Sequence, residues 1–284
     1  MKELLQESVE LTANESDGME VICPEWAVKD VPTASLGEVR YITYFSKTAG
    51  LERGANILLP AGYDTAKKYK VLYFLHGIFG DEFSMLNDEN SRIRQIVANV
   101  APELIVVFPN MFVTTDPEFK PGFSAEQVVP YDRIVTELDV DLIPYIEANY
   151  SVLPGKENRA LVGFSMGGRE TVFIGVTRSD LFDAFGAFAP APGVVPSEDG
   201  FMKHVGMMAE SEVYLHKSED VPSLFMINCG SKDSVVGKYP LSYHLLFEKN
   251  GIEHLWYEVP GADHDFNDIR SGLYNFLIRW QISE

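Results

Sequence analysis

The stretch Gly163-Phe164-Ser165-Met166-Gly167 sets a serine between glycines two residues to either side. A serine hydroxyl is a weak nucleophile and attacks only when a sharp turn exposes it and a base takes its proton. G-x-S-x-G is the spacing of such a turn, because side chains at the glycine positions would crowd the backbone. Glycine makes up about 7% of average sequences, so a chance match occurs in about one chain in ten of this size. The surroundings decide. Ala160-Leu161-Val162 reads as a buried strand before the serine, and residues 169–177 as a helix after it. The free N–H groups and positive dipole end of that helix would face negative charge developing at Ser165.

The base must be a histidine oriented by a carboxylate, in the chain order Ser, then Asp or Glu, then His. Six histidines are present. His76 lies upstream of the serine, and His204, His216 and His244 lie in polar helical or irregular segments that read as surface. His254 begins a strand, whereas His264 falls in Gly261-Ala262-Asp263-His264-Asp265-Phe266, the loop after the last apolar run. His264 is therefore the expected base. Asp233, in Gly230-Ser231-Lys232-Asp233-Ser234 after the preceding buried run, is the expected acid. Asp263 and Asp265 compete, but residues beside His264 in sequence tend to point away from its ring.

An oxyanion needs two N–H groups. Met166, following the nucleophile, should supply one, and Ile78 in Leu75-His76-Gly77-Ile78-Phe79-Gly80 the other. His76 then reads as a structural hydrogen-bonding residue. A flat apolar acyl slot could be built from Phe79, Phe83, Met85, Met111-Phe112-Val113 and Pro190-Ala191-Pro192, with Phe123 and Tyr239 at its rim. Each of these could equally be core packing.

The elements that must hold these residues follow from periodicity. Alternation at 39–45 and an apolar run at 55–59 suggest an antiparallel start. Continuous apolar runs at 71–75 and 104–108 suit strands buried on both faces, 223–229 reads as another buried strand, and 184–188 and 254–259 read as further strands. Helical spacing at 92–100, 134–146, 199–210, 242–250 and 273–282 alternates with them. The result is an α/β fold with a mostly parallel sheet of about eight strands and helices on both faces. Sites in such a sheet gather at the carboxyl ends of the strands. Residues 1–36 read as an acidic arm, wrapping the domain or partly disordered, and 37–284 as a single catalytic domain.

Composition narrows the function. The net charge of −19 across 284 residues excludes a basic nucleic-acid or anionic-membrane surface. Two cysteines, Cys23 and Cys229, give no disulfide framework and no zinc spacing. No metal and no cofactor is expected. No apolar run is long enough to span a bilayer, and the first residues lack the pattern of a signal peptide. The expectation is a cytoplasmic protein, or an exported one if a leader has been removed. Oligomeric state is not legible.

The motifs resemble those of the feruloyl esterase branch of carbohydrate esterase family 1, in the α/β-hydrolase superfamily. The resemblance runs from about Ser35 to Trp280 through Tyr41-Ile42-Thr43-Tyr44-Phe45-Ser46, Leu75-His76-Gly77-Ile78, Leu142-Ile143-Pro144-Tyr145-Ile146-Glu147 and Gly163 to Gly168. It continues through Gly230 to Ser234, His264-Asp265-Phe266 and Gly272-Leu273-Tyr274-Asn275-Phe276-Leu277. Matched motif by motif, it implies the nucleophile Ser165, acid Asp233, base His264 and oxyanion donors Ile78 and Met166. Phe79 stands where the family often has glycine, which would narrow the mouth of the acyl site. The implied activity is release of hydroxycinnamic acids from arabinoxylan-type esters, with a small-molecule or oligosaccharide ester as partner. The enzymatic alternative is an acetylxylan esterase or S-formylglutathione hydrolase-like esterase. The non-enzymatic alternative is a carbohydrate-binding protein on the same fold.

Overall fold

Eight strands hydrogen-bond into one sheet in the order β1-β2-β4-β3-β5-β6-β9-β10. They are β1 (Glu38–Ser46), β2 (Leu51–Leu59), β3 (Val71–Leu75), β4 (Ile105–Pro109), β5 (Arg159–Phe164), β6 (Ala184–Phe188), β9 (Leu224–Gly230) and β10 (Leu255–Val259). The computed structural model describes residues 20–215 and 221–282. β1 and β2 pair antiparallel, β2 joins β4 antiparallel, and every later pairing in the sheet is parallel. β3, β4, β6 and β9 are buried along their whole length, as strands covered by helices on both faces must be.

The helices are α1 (Ile93–Val100), α2 (Ala125–Asp132), α3 (Ile134–Glu137), α4 (Ile143–Asn149), α5 (Met166–Thr177), α6 (Tyr239–Asn250) and α7 (Phe266–Ile282). A π-helical turn, Leu138–Leu142, joins α3 to α4. Among the described residues no helix is long and apolar enough to cross a membrane. One core, with Val128, Met166 and Phe247, lies on one face of the sheet; α1 and α7 pack a second, with Phe74, Phe276 and Trp280, on the other.

Several boundaries differ from expectation for identifiable reasons. β2 begins at Leu51 because polar Arg53 is carried inside it, paired at 3.0 Å with the buried Glu137. α7 begins at Phe266 rather than 273, since Asp265 caps its first turn by accepting the Asn267 N–H at 2.8 Å. The stretch 199–210 is not a helix. It belongs to a hairpin of β7 (Ser197–Glu198) and β8 (Lys203–His204), turned by Asp199-Gly200, followed by a short 3-10 turn, Glu210–Glu212. Asp199 Oδ1 accepts the Phe201 and Met202 N–H groups at 2.7 Å, which favours a turn over a helix.

His204 and His244 are buried rather than surface residues. His204 pairs with Asp199 at 2.9 Å, and His244 shares a 2.8 Å hydrogen bond with His254 and stacks on Trp256. His216 lies outside the described residues. Of the arm, residues 1–19 lie outside them also. Its remainder wraps α1 and α7: Arg92 donates to Val28 O, Asn99 to Ala27 O and Asn275 to Val21 O.

Candidate active site

β5 ends at Phe164 and α5 begins at Met166, so Ser165 alone makes the turn. Its φ of 57° and ψ of −114° lie where non-glycine residues seldom rest, a strain on the order of 1–3 kcal/mol. The flanking glycines make the turn possible. A Cβ on Gly163 would collide with the Gly167 carbonyl, and one on Gly167 would stand 2.5 Å from Leu75 O. Ser165 is buried at the carboxyl edge of the sheet, its N–H donating to Phe188 O at 2.9 Å.

His264 Nδ1 lies 2.7 Å from Asp233 Oδ2. Nδ1 must carry the proton in this pair, because the carboxylate can only accept. Burial would raise the Asp233 carboxyl, but the His264 bond and charge and the N–H groups of Val236 and Val235 together hold it below its ordinary value. The His264 ring packs against Phe164, the residue before Ser165, with ring centres 4.4 Å apart. The rival carboxylates are otherwise engaged. Asp263 accepts from the Ser234 N–H and hydroxyl and the His264 N–H, while Asp265 caps α7.

The loop after β3 meets the elbow. A Cβ on Gly77 would sit 3.4 Å from Ser165 Cβ, so Ile78 follows directly beside the hydroxyl. Neither the Ile78 nor the Met166 N–H donates a hydrogen bond among the described residues. His76 anchors this loop: Nε2 accepts the Met111 N–H at 3.0 Å and Nδ1 donates to Gly77 O at 2.7 Å. Burial pushes its pKa down to about 4, which keeps it neutral.

A cavity open to solvent is lined by Ser165 and Met166. Of the residues expected in the slot or at its rim, Ala191, Pro192 and Phe123 line it, together with Ile78, Val128, Phe201, Met202, Val235 and Val236. Phe79 reaches it through Phe123, edge to face at 5.1 Å, and Phe123 stacks on Phe201 at 4.8 Å. Phe79 has a φ of 63°, the left-handed conformation that favours glycine, with its N–H donating to the Tyr131 hydroxyl. The β7–β8 hairpin therefore forms one wall. Burial would raise Asp199, yet the His204 bond and the Met202 and Phe201 N–H groups hold its carboxyl below the ordinary value.

Other residues expected in the slot or at its rim lie elsewhere. Phe83 stacks on Tyr41 of β1 at 5.6 Å. Met111 is fully buried in the core, and Phe112 packs between Phe119 and Tyr131. Tyr239 opens α6, and its hydroxyl donates to Glu198 O, tying down the hairpin. Met85, also expected in the slot, is buried beside α1, and Val113 is buried in the core with Met111. No group of three or more His, Cys, Asp or Glu side chains that could hold a metal occurs among the described residues.

Residues 46–234 match the model of the Esterase family. Among solved structures the chain is similar to the CE1 ferulic acid esterase of Anaeromyces mucronatus, in complex with ferulic acid. The two are 43% identical with a TM-score of 0.85, covering 91% of this chain and 96% of that one. An endo-1,4-beta-xylanase/feruloyl esterase of Xylanibacter ruminicola is 30% identical over 161 residues, 53% of this chain and 21% of that protein. Endo-1,4-beta-xylanase Y of Acetivibrio thermocellus is 27% identical over 249 residues, 79% of this chain and 21% of that protein. The chain thus spans about a fifth of the length of these two curated relatives. The chain belongs to the Esterase family, within its branch of CE1 ferulic acid esterases.

Proposed function

We propose that residues 37–284 act as one serine carboxylic-ester hydrolase domain that releases ferulic and related hydroxycinnamic acids from arabinoxylan-type esters. The observation that carries the reading is the His264–Asp233 hydrogen bond abutting the Ser165 elbow. With Nδ1 engaged by Asp233, Nε2 of His264 is the nitrogen free to take a proton. Ser165 Oγ attacks the ester carbonyl as His264 removes its proton. The Ile78 and Met166 N–H groups then stabilise the oxyanion, and His264 returns the proton to the departing sugar alcohol. Water enters, is deprotonated by His264 and frees the acid from Ser165. Asp233 holds the imidazole in one tautomer and offsets its charge while protonated.

The acyl group is chosen by the cavity beside Ser165. Phe123 and Phe201 offer flat apolar faces, and Pro192 and Met166 line the same cavity as Ser165. An aromatic acyl group would bury its ring there, at roughly 25 cal/mol for each Å² removed from water. A small acyl group such as acetyl gains little from such walls.

The test is a panel of methyl ferulate, acetylated xylan and S-formylglutathione, with the Ser165→Ala protein as control. Methyl ferulate should be turned over fastest, and Ser165→Ala should abolish hydrolysis and labelling by a fluorophosphonate. Preference for either other substrate would overturn the acyl assignment, and near-normal activity of Ser165→Ala the mechanism.

A further inference from the structure

Tyr41 and Phe83 stack with planes 13° from parallel, yet Tyr41 is 53% and Phe83 37% exposed. Contiguous exposed aromatic surface is where contact sites are found, whereas apolar residues exposed singly carry no such meaning. The arrangement is built into the sheet. Tyr41 lies across Gly54 of the neighbouring strand, where any Cβ would collide with the phenol ring. A polar rim adjoins the rings. The Tyr41 hydroxyl faces Glu82 Oε1 at 3.5 Å, and Asn110 Nδ2 donates to Glu82 Oε2 at 2.9 Å.

A flat apolar face edged by a carboxylate and an amide is complementary to a sugar ring. The C–H groups of the ring lie against the aromatic face, and its hydroxyls meet acceptors and donors at the edge. The high net negative charge of −19 favours a neutral chain over a polyuronate.

Position supplies the rest. Ile42 and Tyr44 point into the core that contains Val128 and Met166, so Tyr41, alternating with them, faces the other side of the sheet. Val128 and Met166 line the acyl cavity. The Tyr41–Phe83 pair thus stands on the side of the sheet away from the acyl cavity. β1 is four strands from β5, which at the usual spacing is roughly 19 Å. That is the span of several sugar residues.

We propose that Tyr41 and Phe83, rimmed by Glu82 and Asn110, form a subsite for neutral sugar rings of the polysaccharide that bears the ester. The inference rests on the function proposed above, and the experiment separates the two. Ser165→Ala protein is run through gels containing de-esterified arabinoxylan, so that binding is read without any ester. Retardation is expected, with polygalacturonate giving none. Adding Tyr41→Ala and Phe83→Ala should weaken binding about tenfold, the scale of losing a buried aromatic contact. Tyr41→Trp should keep the retardation.

In the active enzyme the same pair of alanines should raise KM on feruloylated arabinoxylan by about tenfold. The value of kcat/KM on methyl ferulate should stay within about twofold, because that substrate cannot reach β1. Unchanged retardation in the double variant, equal binding to polygalacturonate, or an equal loss on methyl ferulate would each overturn the subsite. Failure to hydrolyse methyl ferulate would overturn the functional reading and leave the gel result standing.

Discussion

Asp233 and His264 are separated by 31 residues of chain, yet their side chains meet at 2.7 Å. The pair exists because β9 and β10 are parallel neighbours whose following loops leave the sheet at the same edge. Asp233→Asn keeps the shape but offers an amide where a carboxylate is needed, which favours the wrong imidazole tautomer. We expect kcat on methyl ferulate to fall about 10³–10⁴-fold with KM little changed. A fall of less than tenfold would remove Asp233 from the mechanism.

The same carboxyl links the site to acid stability. Its folded pKa lies below the ordinary value, so its contribution is present above the unfolded pKa and lost as pH falls through the folded one. The melting-temperature gap between the wild type and Asp233→Asn should be wider at about pH 7 than at about pH 3. An equal gap at both would contradict the shift.

His76 acts in a higher window. Buried and neutral, it titrates at about 4 in the fold against an ordinary 6.5, so the unfolded chain binds more protons between those values. Stability should therefore decline as pH falls from 6.5 toward about 4. His76→Gln can still accept the Met111 N–H without titrating, and its melting temperature should lack that decline. A parallel decline in both proteins would assign it to other groups.

Phe79 holds a conformation suited to glycine. Phe79→Ala and Phe79→Gly both lose the contact with Phe123, but only glycine relieves the backbone. Phe79→Gly should be the more stable of the two by about 1 kcal/mol in urea unfolding. The reverse order would show that its φ of 63° carries no strain.

Phe201 reaches the acyl cavity from the β7–β8 hairpin and stacks on Phe123. Phe201→Ala should lower kcat/KM for methyl ferulate about tenfold and leave an acetyl ester nearly unaffected, because only the larger acyl group meets that wall. An equal loss on both substrates would mean that Phe201 shapes the serine's surroundings rather than the slot.

The proposed catalytic order is readable in the sequence because each residue type is tied to a local pattern. A strand pattern followed by a turn marks a strand end, and Ser165, Asp233 and His264 each follow such a strand. The slot was less so. Phe83 and Phe79 are loop residues four apart, and nothing local tells which turns toward Ser165 and which toward β1. The hairpin was missed because its strands are two residues each, too short to show alternation. Burial of His204 and His244 was invisible for a different reason. Each is satisfied by a partner, Asp199 or His254, that lies within ten residues in sequence but is chosen by tertiary packing.

The contact of the arm with α7 bears on when the protein can finish folding. Cys23 N–H donates to the Ser271 hydroxyl at 3.1 Å across 248 residues, and Trp26 meets Tyr274 edge to face. On a ribosome the arm emerges before α7 and must wait for the 248 residues between Cys23 and Ser271 before its docking surface exists. Its apolar residues, Trp26 among them, are exposed throughout that interval. Because α7 also begins two residues after His264, the same helix both receives the arm and follows the histidine loop. Maturation of the site thus waits for the appearance of α7, not for that of its serine.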